Sequence, residues 1–258
     1  MTVIDVRHDG FVAQIVLNRP DSLNAISTEL ARELIAATTA IASNDSVRAV
    51  VLSANGERAF CVGADLKERN AMSDADLLAQ REVFRQAFGG LLGLPQPVVA
   101  AVHGFALGGG CELALSCDIV VADDTAVLGL PEVSIGLVPG GGGTQLSLRR
   151  LGSGRAADLV LTGRRVAAAA AYDIGLVDRL VPAKAARIVA TELAITIANN
   201  SPVATRAAKR ALRDGWGLDY AAAMDVEDIA WRTAATSADR KEGIKAFNEK
   251  RQPLWPGI

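Results

Sequence analysis

Gly104-Phe-Ala-Leu-Gly-Gly-Gly-Cys-Glu-Leu-Ala-Leu-Ser-Cys-Asp118 decides the fold. It follows the apolar, β-branched run Pro97–Val102 and leads into a second such run, Ile119–Ala122. The order predicts a buried strand, a glycine turn, a helix over Gly110–Cys117 and another buried strand. Glycine loses more conformational freedom on folding than any other residue, so three in a row need a reason. One reason is a tight strand-to-helix turn. The other is a ligand lying close to the backbone, with free N–H groups at the helix start aimed at negative charge. Glu112 falls in the first turn, where the helix dipole favours an acid in either case.

Reading outward, strand and helix signals alternate. Thr2–Val6 and Val12–Leu17 flank Asp9-Gly10, a hairpin signal. A helix is predicted over Ser27–Ala42 with Ser27 as N-cap, then a strand over Arg48–Leu52 and a helix over Asp74–Leu92. Helices over Arg149–Gly163 and Ala167–Tyr172 precede a last strand, Val177–Val181. Beyond Pro182 only helix signals remain: Ala183–Ala198, Pro202–Arg213, Leu218–Ala235 and Asp239–Lys250. This alternation predicts an α/β class with parallel pairing. The strand-bearing core is expected over residues 1–195 and a helical region over 196–258.

Composition narrows the function. The 258 residues carry 27 basic and 29 acidic side chains, a formal net charge of −2, and half are apolar. A disordered chain and a broadly basic nucleic-acid binder are excluded. Cys61, Cys111 and Cys117 are an odd number, which suggests a reducing compartment; with only His8 and His103 beside them, no metal site is expected. The start carries no secretory pattern and no run reaches the length of a membrane span, so a cytoplasmic protein without membrane attachment is expected. Gly152-Ser-Gly-Arg-Ala-Ala157 fits a dinucleotide fingerprint in letters but follows no strand, and no Gly-Lys pair exists for a Walker loop. His103 reads as packing and His8 as surface.

Two further segments carry chemistry. Phe60-Cys-Val-Gly-Ala-Asp-Leu-Lys-Glu68 places small residues before a polar turn, where a backbone donor could reach a ligand or Asp65 could cap a helix. Leu130-Pro-Glu-Val-Ser-Ile-Gly-Leu-Val-Pro-Gly-Gly-Gly-Gly-Thr144 isolates Glu132 among apolar residues. A carboxylate there is paired, exposed, or held with a raised pKa.

Together, Gly63-Ala64-Asp65, Ala106-Leu-Gly-Gly-Gly-Cys-Glu112, Pro131-Glu132 and Pro139-Gly-Gly-Gly-Gly-Thr-Gln145 resemble the enoyl-CoA hydratase/isomerase, or crotonase, superfamily. The resemblance runs from Asn18-Arg-Pro and Leu23-Asn-Ala25 to Ala246-Phe-Asn-Glu-Lys-Arg251. It implies a spiral of ββα turns with a C-terminal helical region that packs homotrimers, often paired into hexamers. It further implies an acyl-CoA substrate, no added cofactor, and an enolate anion stabilised by the N–H groups of Ala64 and Gly109. Glu112 and Glu132 match the two carboxylates that hydratases of the family use to add water across a 2-enoyl-CoA. By the same resemblance Glu132 serves the α-carbon, Glu112 activates the water and the Gly140 backbone places it.

The coenzyme A contacts are implied in the same way. Leu23 and Ala25 match a loop that touches the adenine, and Ser22 stands beside them where many relatives carry a basic residue. Asp65, Leu66 and Lys67 continue the oxyanion loop along the pantetheine and phosphate path. Phe247 and Lys250 resemble a pair that reaches a neighbouring subunit's ligand. Phe84 and Phe88 face either the acyl pocket or the core. Within the family, Gly63-Ala-Asp-Leu-Lys-Glu-Arg69 and Val138-Pro-Gly-Gly-Gly-Gly-Thr144 look like methylglutaconyl-CoA hydratases. Some of those bind RNA through a lysine-rich helix. Here Ser27–Ala42 offers Glu29, Arg32 and Glu33 but no lysine, so no nucleic-acid partner is expected. The implied activity is reversible hydration of 2-trans-enoyl-CoA. Another crotonase reaction on an acyl-CoA, or a non-catalytic CoA-ester or RNA-binding protein, are the alternatives.

Overall fold

The computed structural model describes residues 2–258. Strand β1 (Ile4–Asp9) turns back antiparallel onto β2 (Val12–Leu17), Ile4 facing Leu17 and Asp9 facing Val12. Helix α1 (Thr28–Ala42) follows, capped by Ser27, whose hydroxyl accepts from Leu30 N–H at 3.2 Å. Three strand-bearing turns come next. The first holds β3 (Ala49–Ala54), β4 (Ala59–Cys61), α2 (Leu66–Asn70) and α3 (Asp74–Leu92). The second holds β5 (Val98–Val102), β6 (Phe105–Leu107) and α4 (Gly109–Leu115). The third holds β7 (Ile119–Asp123), β8 (Val127–Gly129), α5 (Gly143–Leu151) and α6 (Ser153–Thr162). After β9 (Arg165–Ala167), α7 (Ala168–Asp173) and β10 (Arg179–Val181) the chain is helical: α8 (Ala186–Ala198), α9 (Pro202–Asp214), α10 (Tyr220–Ala235) and α11 (Ala238–Glu249).

Each turn gives a long strand to one sheet and a short strand to another. The first sheet runs β1-β2-β3-β5-β7-β10 and the second β4-β6-β8-β9. Pairing is parallel except at β1–β2 and β8–β9. Strand alternation sorts the core into two layers. Val50, Leu52, Val98, Ala100 and Val102 point into the main core beneath α1, α3 and α4. Ala49, Val51, Val99 and Ala101 point the other way, onto a ridge of Ala186, Ala190, Ala194 and Ala198 on α8. These alanines recur every four residues, one face of the helix, and let α8 lie close on the sheet. Both faces of β3 and β5 are therefore covered, which explains their unbroken apolar runs.

The predicted strands and helices are present with boundaries moved by a few residues, with one correction. The single helix expected over Arg149–Gly163 is two, because Gly152 takes φ 76° and ψ 168° and ends α5. The second sheet supplies the second strand of each turn in the implied ββα spiral, but no pattern in the residues marks it. Its strands are three residues each, too short to display a period. Position 195 lies within α8, which belongs to the sheet; the chain leaves the sheet after Ala198. Buried Lys209 ties α9 back to the core, 2.7 Å from an Asp118 carboxylate oxygen and donating to Gln96 C=O at 2.9 Å.

Gly110 shows why the glycine run exists. A Cβ built there would stand 1.9 Å from Cys61 C=O oxygen, so α4 meets β4 backbone to backbone. Gly110→Ala is expected to cost at least ~3 kcal/mol in urea unfolding, or to abolish soluble expression. Gly89→Ala, at an exposed position in the last turn of α3 with no atom within 4 Å of the added carbon, is expected to stabilise by about 0.5–1 kcal/mol. Equal effects at the two positions would refute the close-approach account.

Candidate active site

A cavity of about 630 Å³ is lined by residues of all three turns together with the helices α2 and α3. Its walls are mainly apolar: Leu77, Leu78, Phe84 and Phe88 come from α3, and Leu137 and Val138 from the loop before α5. Ala64, Gly109, Glu112, Glu132, Gly140, Leu23 and Leu66 also line it. The sequence thus places its reacting groups and part of its ligand loop around one space. Ser22, Ala25, Asp65 and Lys67 stand close in sequence to lining residues but outside the wall. Phe247 and Lys250 lie at the end of α11, away from it, with Phe247 83% exposed.

The donor pair is built from backbone. Ile26 N–H donates to Gly63 C=O at 2.8 Å, and Asp65 N–H to Ile26 C=O at 2.9 Å. That parallel bridge leaves the intervening Ala64 N–H turned away from Ile26. Gly109 is the first residue of α4, so its N–H has no carbonyl within the helix. Gly63 brings the two together: at φ 91°, its missing Cβ would stand 3.1 Å from Gly109 N and 3.0 Å from Leu107 C=O oxygen. Two amide donors therefore sit side by side in a largely apolar space, the arrangement that stabilises an oxyanion.

Asp65 is a brace for this loop. Its carboxylate accepts from Lys67 and Glu68 N–H at 3.1 and 3.3 Å, capping α2, and pairs with Arg19 at 3.0 Å. Burial opposes its charge, but the Arg19 and amide hydrogen bonds prevail and hold its pKa below the ordinary value. Asn24, fully buried, accepts from Arg19 N–H at 2.8 Å and donates to Asn55 and Ala59 C=O at 2.9 and 3.0 Å. The loop at Leu23 is thereby fixed against the oxyanion loop, with Leu23 and Asn24 both left-handed.

The two carboxylates have different surroundings. Glu112, on the first turn of α4, is 3% exposed. Its Oε1 accepts from Gly141 and Gly143 N–H, each at 2.7 Å. Burial raises its pKa while those amides pull it back. Glu132 lies in a short 3-10 turn, Pro131–Ile135, against the Gly108 backbone. Its buried Oε2 has no hydrogen-bond partner among the described residues. Burial, with a smaller contribution from the Glu112 charge, pushes its pKa up to about 7. One carboxylate is held by charge-favouring donors and the other is left poor in them, a division that separates base from acid.

Several groups carry no sequence signal of their own. Gly141 and Gly143 supply the amides on Glu112, although the glycine run marks the segment. Arg69 and Arg81 also line the wall; each stands on a helix of mixed composition and has no motif to announce it.

Comparison with known proteins agrees with this site. The sequence profile of the enoyl-CoA hydratase/isomerase family matches residues 7–257. YngF of Bacillus subtilis is 43% identical over 247 residues, 96% of this chain and 95% of its own. An enoyl-CoA isomerase/hydratase of Mycosarcoma maydis is 38% identical over 95% of this chain and 93% of its own. The crystal structure of an enoyl-CoA hydratase from Bacillus anthracis superposes with a TM-score of 0.97 at 41% identity, covering 99% of this chain and all of that one. Fold, motifs and relatives agree that the chain is a member of the enoyl-CoA hydratase/isomerase family.

Proposed function

We propose that the protein adds water reversibly to 2-trans-enoyl-CoA thioesters, giving 3-hydroxyacyl-CoA. The observation that carries this reading is the pair of unlike carboxylates, Glu112 and Glu132, in one cavity with the paired amides of Ala64 and Gly109. The thioester oxygen accepts from both amides, which polarises the conjugated double bond. Glu112, ionised and gripped by Gly141 and Gly143, takes a proton from water as the water oxygen bonds to the β-carbon. Charge moves through the former double bond to the thioester oxygen, where the amides and the start of α4 meet it. Glu132, protonated, gives its proton to the α-carbon, and proton exchange between the carboxylates and solvent restores the site. Each step uses groups of this chain alone.

Assembly belongs to the same reading. In the single chain α10 and α11 leave Ile229, Trp231 and Phe247 between 61% and 83% exposed. A homotrimer, or two such trimers, would cover these residues and bring Phe247 and Lys250 to a neighbour's cavity.

Crotonyl-CoA mixed with the purified protein is expected to lose its conjugated-thioester absorbance without any additive. Glu112→Gln and Glu132→Gln are each expected to lower kcat by about 10²–10⁴-fold. Wild-type turnover in Glu132→Gln would refute the assignment. Conversion of a 3-enoyl-CoA in place of hydration would favour isomerisation.

Glu132 also gives a signature in stability. Its acid form persists in the folded protein to about pH 7, while in the unfolded chain the carboxyl ionises near its ordinary value of about 4.3. The unfolded state then binds fewer protons, so this residue's contribution to stability declines as pH rises through that window and is level above it. Glu132→Gln removes the decline. The melting temperature of the variant relative to wild type is expected to rise from pH 4.5 to 7 and then stay constant; a difference flat across the range would show an ordinary carboxylate.

A further inference from the structure

The helix that continues from the Ala64 amide has no apolar anchor. Helix α2 is five residues long and buries none of them, and Leu66 at its start is 53% exposed. A helix of that length is not stable by itself. The two backbone bonds that flank Ala64, at Gly63 and Asp65, both go to Ile26. Bonds to a single residue make a hinge, and turning about it swings the Ala64 N–H toward or away from the Gly109 N–H. The Arg19–Asp65 pair lies beside that hinge. The far end of α2 must therefore be held by other groups.

Those groups are polar and meet at one side chain. Gln80 is 4% exposed, the one polar residue among the buried positions of α3. A primary amide offers two N–H donors and a carbonyl oxygen, and here each is engaged. Gln80 Nε2 donates to Thr28 Oγ1 at 2.9 Å and to a Glu68 carboxylate oxygen at 3.2 Å. Gln80 Oε1 accepts from Arg69 Nε at 2.9 Å. Glu68 in turn accepts from Thr28 N–H at 2.9 Å. That N–H is the first of α1 and has no carbonyl within the helix, while the Ser27 hydroxyl is spent on Leu30 N–H. The start of a helix also favours a carboxylate. One buried amide thus joins α1, α2 and α3. It stands behind the cavity wall, one helical turn before Phe84, which lines it.

We propose that Gln80 is a positioning residue for the oxyanion: by tying Glu68 and Arg69 of α2 to Thr28 of α1, it fixes the end of α2 and with it the direction of the Ala64 N–H. This rests on Ala64 and Gly109 being the thioester's donors, and not on which reaction follows.

A conjugated thioester with an electron-donating end reports the aim of the amides directly. In 4-dimethylaminocinnamoyl-CoA, light moves charge from the amino group to the thioester oxygen. Donors aimed at that oxygen stabilise the displaced charge, so binding shifts the absorbance to the red. The wild-type protein in saturating amount is expected to give this shift. Gln80→Met keeps the length of the side chain and removes its hydrogen bonds. It is expected to lose most of the shift, and to lower kcat on crotonyl-CoA about 10- to 100-fold with KM nearly unchanged. Leu91→Val, at a fully buried position three turns further along α3, loosens packing without touching these bonds; it is expected to lower the melting temperature and keep the shift. Should Gln80→Met not fold, Thr28→Val removes only the acceptor on α1 and is expected to lose a smaller part of the shift. A full shift in the Gln80 variant, or in Thr28→Val standing in for it, overturns the proposal and leaves the donor assignment intact. So does an equal loss in Leu91→Val, which would make the effect one of general packing. A wild type that gives no shift overturns the donor assignment and the proposal together. If the shift follows Gln80 while no enoyl thioester is hydrated, the positioning role stands and the hydratase reading falls.

Discussion

The contact of α4 with β4 governs the rest of the site. Backbone meets backbone there, with Gly110 against the Cys61 carbonyl and Gly63 against Leu107 and Gly109. Side chains of any size would hold the two turns apart. Their absence sets the Ala64 and Gly109 amides next to each other and starts α4 at the point where Glu112 enters the cavity. The donors belong to rigid elements whose other hydrogen bonds are already made, so little reorganisation is needed when charge develops on a bound thioester.

The rest of the structure supplies what that contact lacks. Asp65 and Arg19 brace one loop, Asn24 anchors the next, and the amides of the glycine run hold Glu112 from the opposite side. Glu132 receives no comparable support, and its pKa near 7 is the result. The two side chains are chemically identical and differ in their partners: Glu112 accepts from two amides, and Glu132 Oε2 accepts from none among the described residues. Glu112 also shapes the backbone around it, because accepting from Gly141 and Gly143 closes the turn that begins α5.

Much of this is legible in the sequence. Buried strands announce themselves as β-branched runs, and the caps Ser27 and Ser201 stand where helix starts are expected. The ordered glycine motifs locate both carboxylates and both amide donors. What cannot be read has physical reasons. Three-residue strands carry no period, so the second sheet is anticipated only by the resemblance to a ββα spiral. Gly152 looks like part of a helix because a left-handed break is a matter of backbone angle. Arg69 and Arg81 sit in amphipathic segments whose sequence does not say which face meets a cavity. The donors to Glu112 are main-chain groups, and no residue identity distinguishes Gly141 and Gly143 from Gly140.

Cover helices α2 and α3 contribute no atom to the amide pair and neither of the two carboxylates. The amide pair and Glu112 sit beside Gly63 and Gly110, where an added methyl group would crowd or collide with backbone. The wall of Leu77, Leu78, Phe84 and Phe88 sits on a helix, where such close backbone contact is not required. The lining on α3 can therefore change in size or charge without moving the amide pair or either carboxylate.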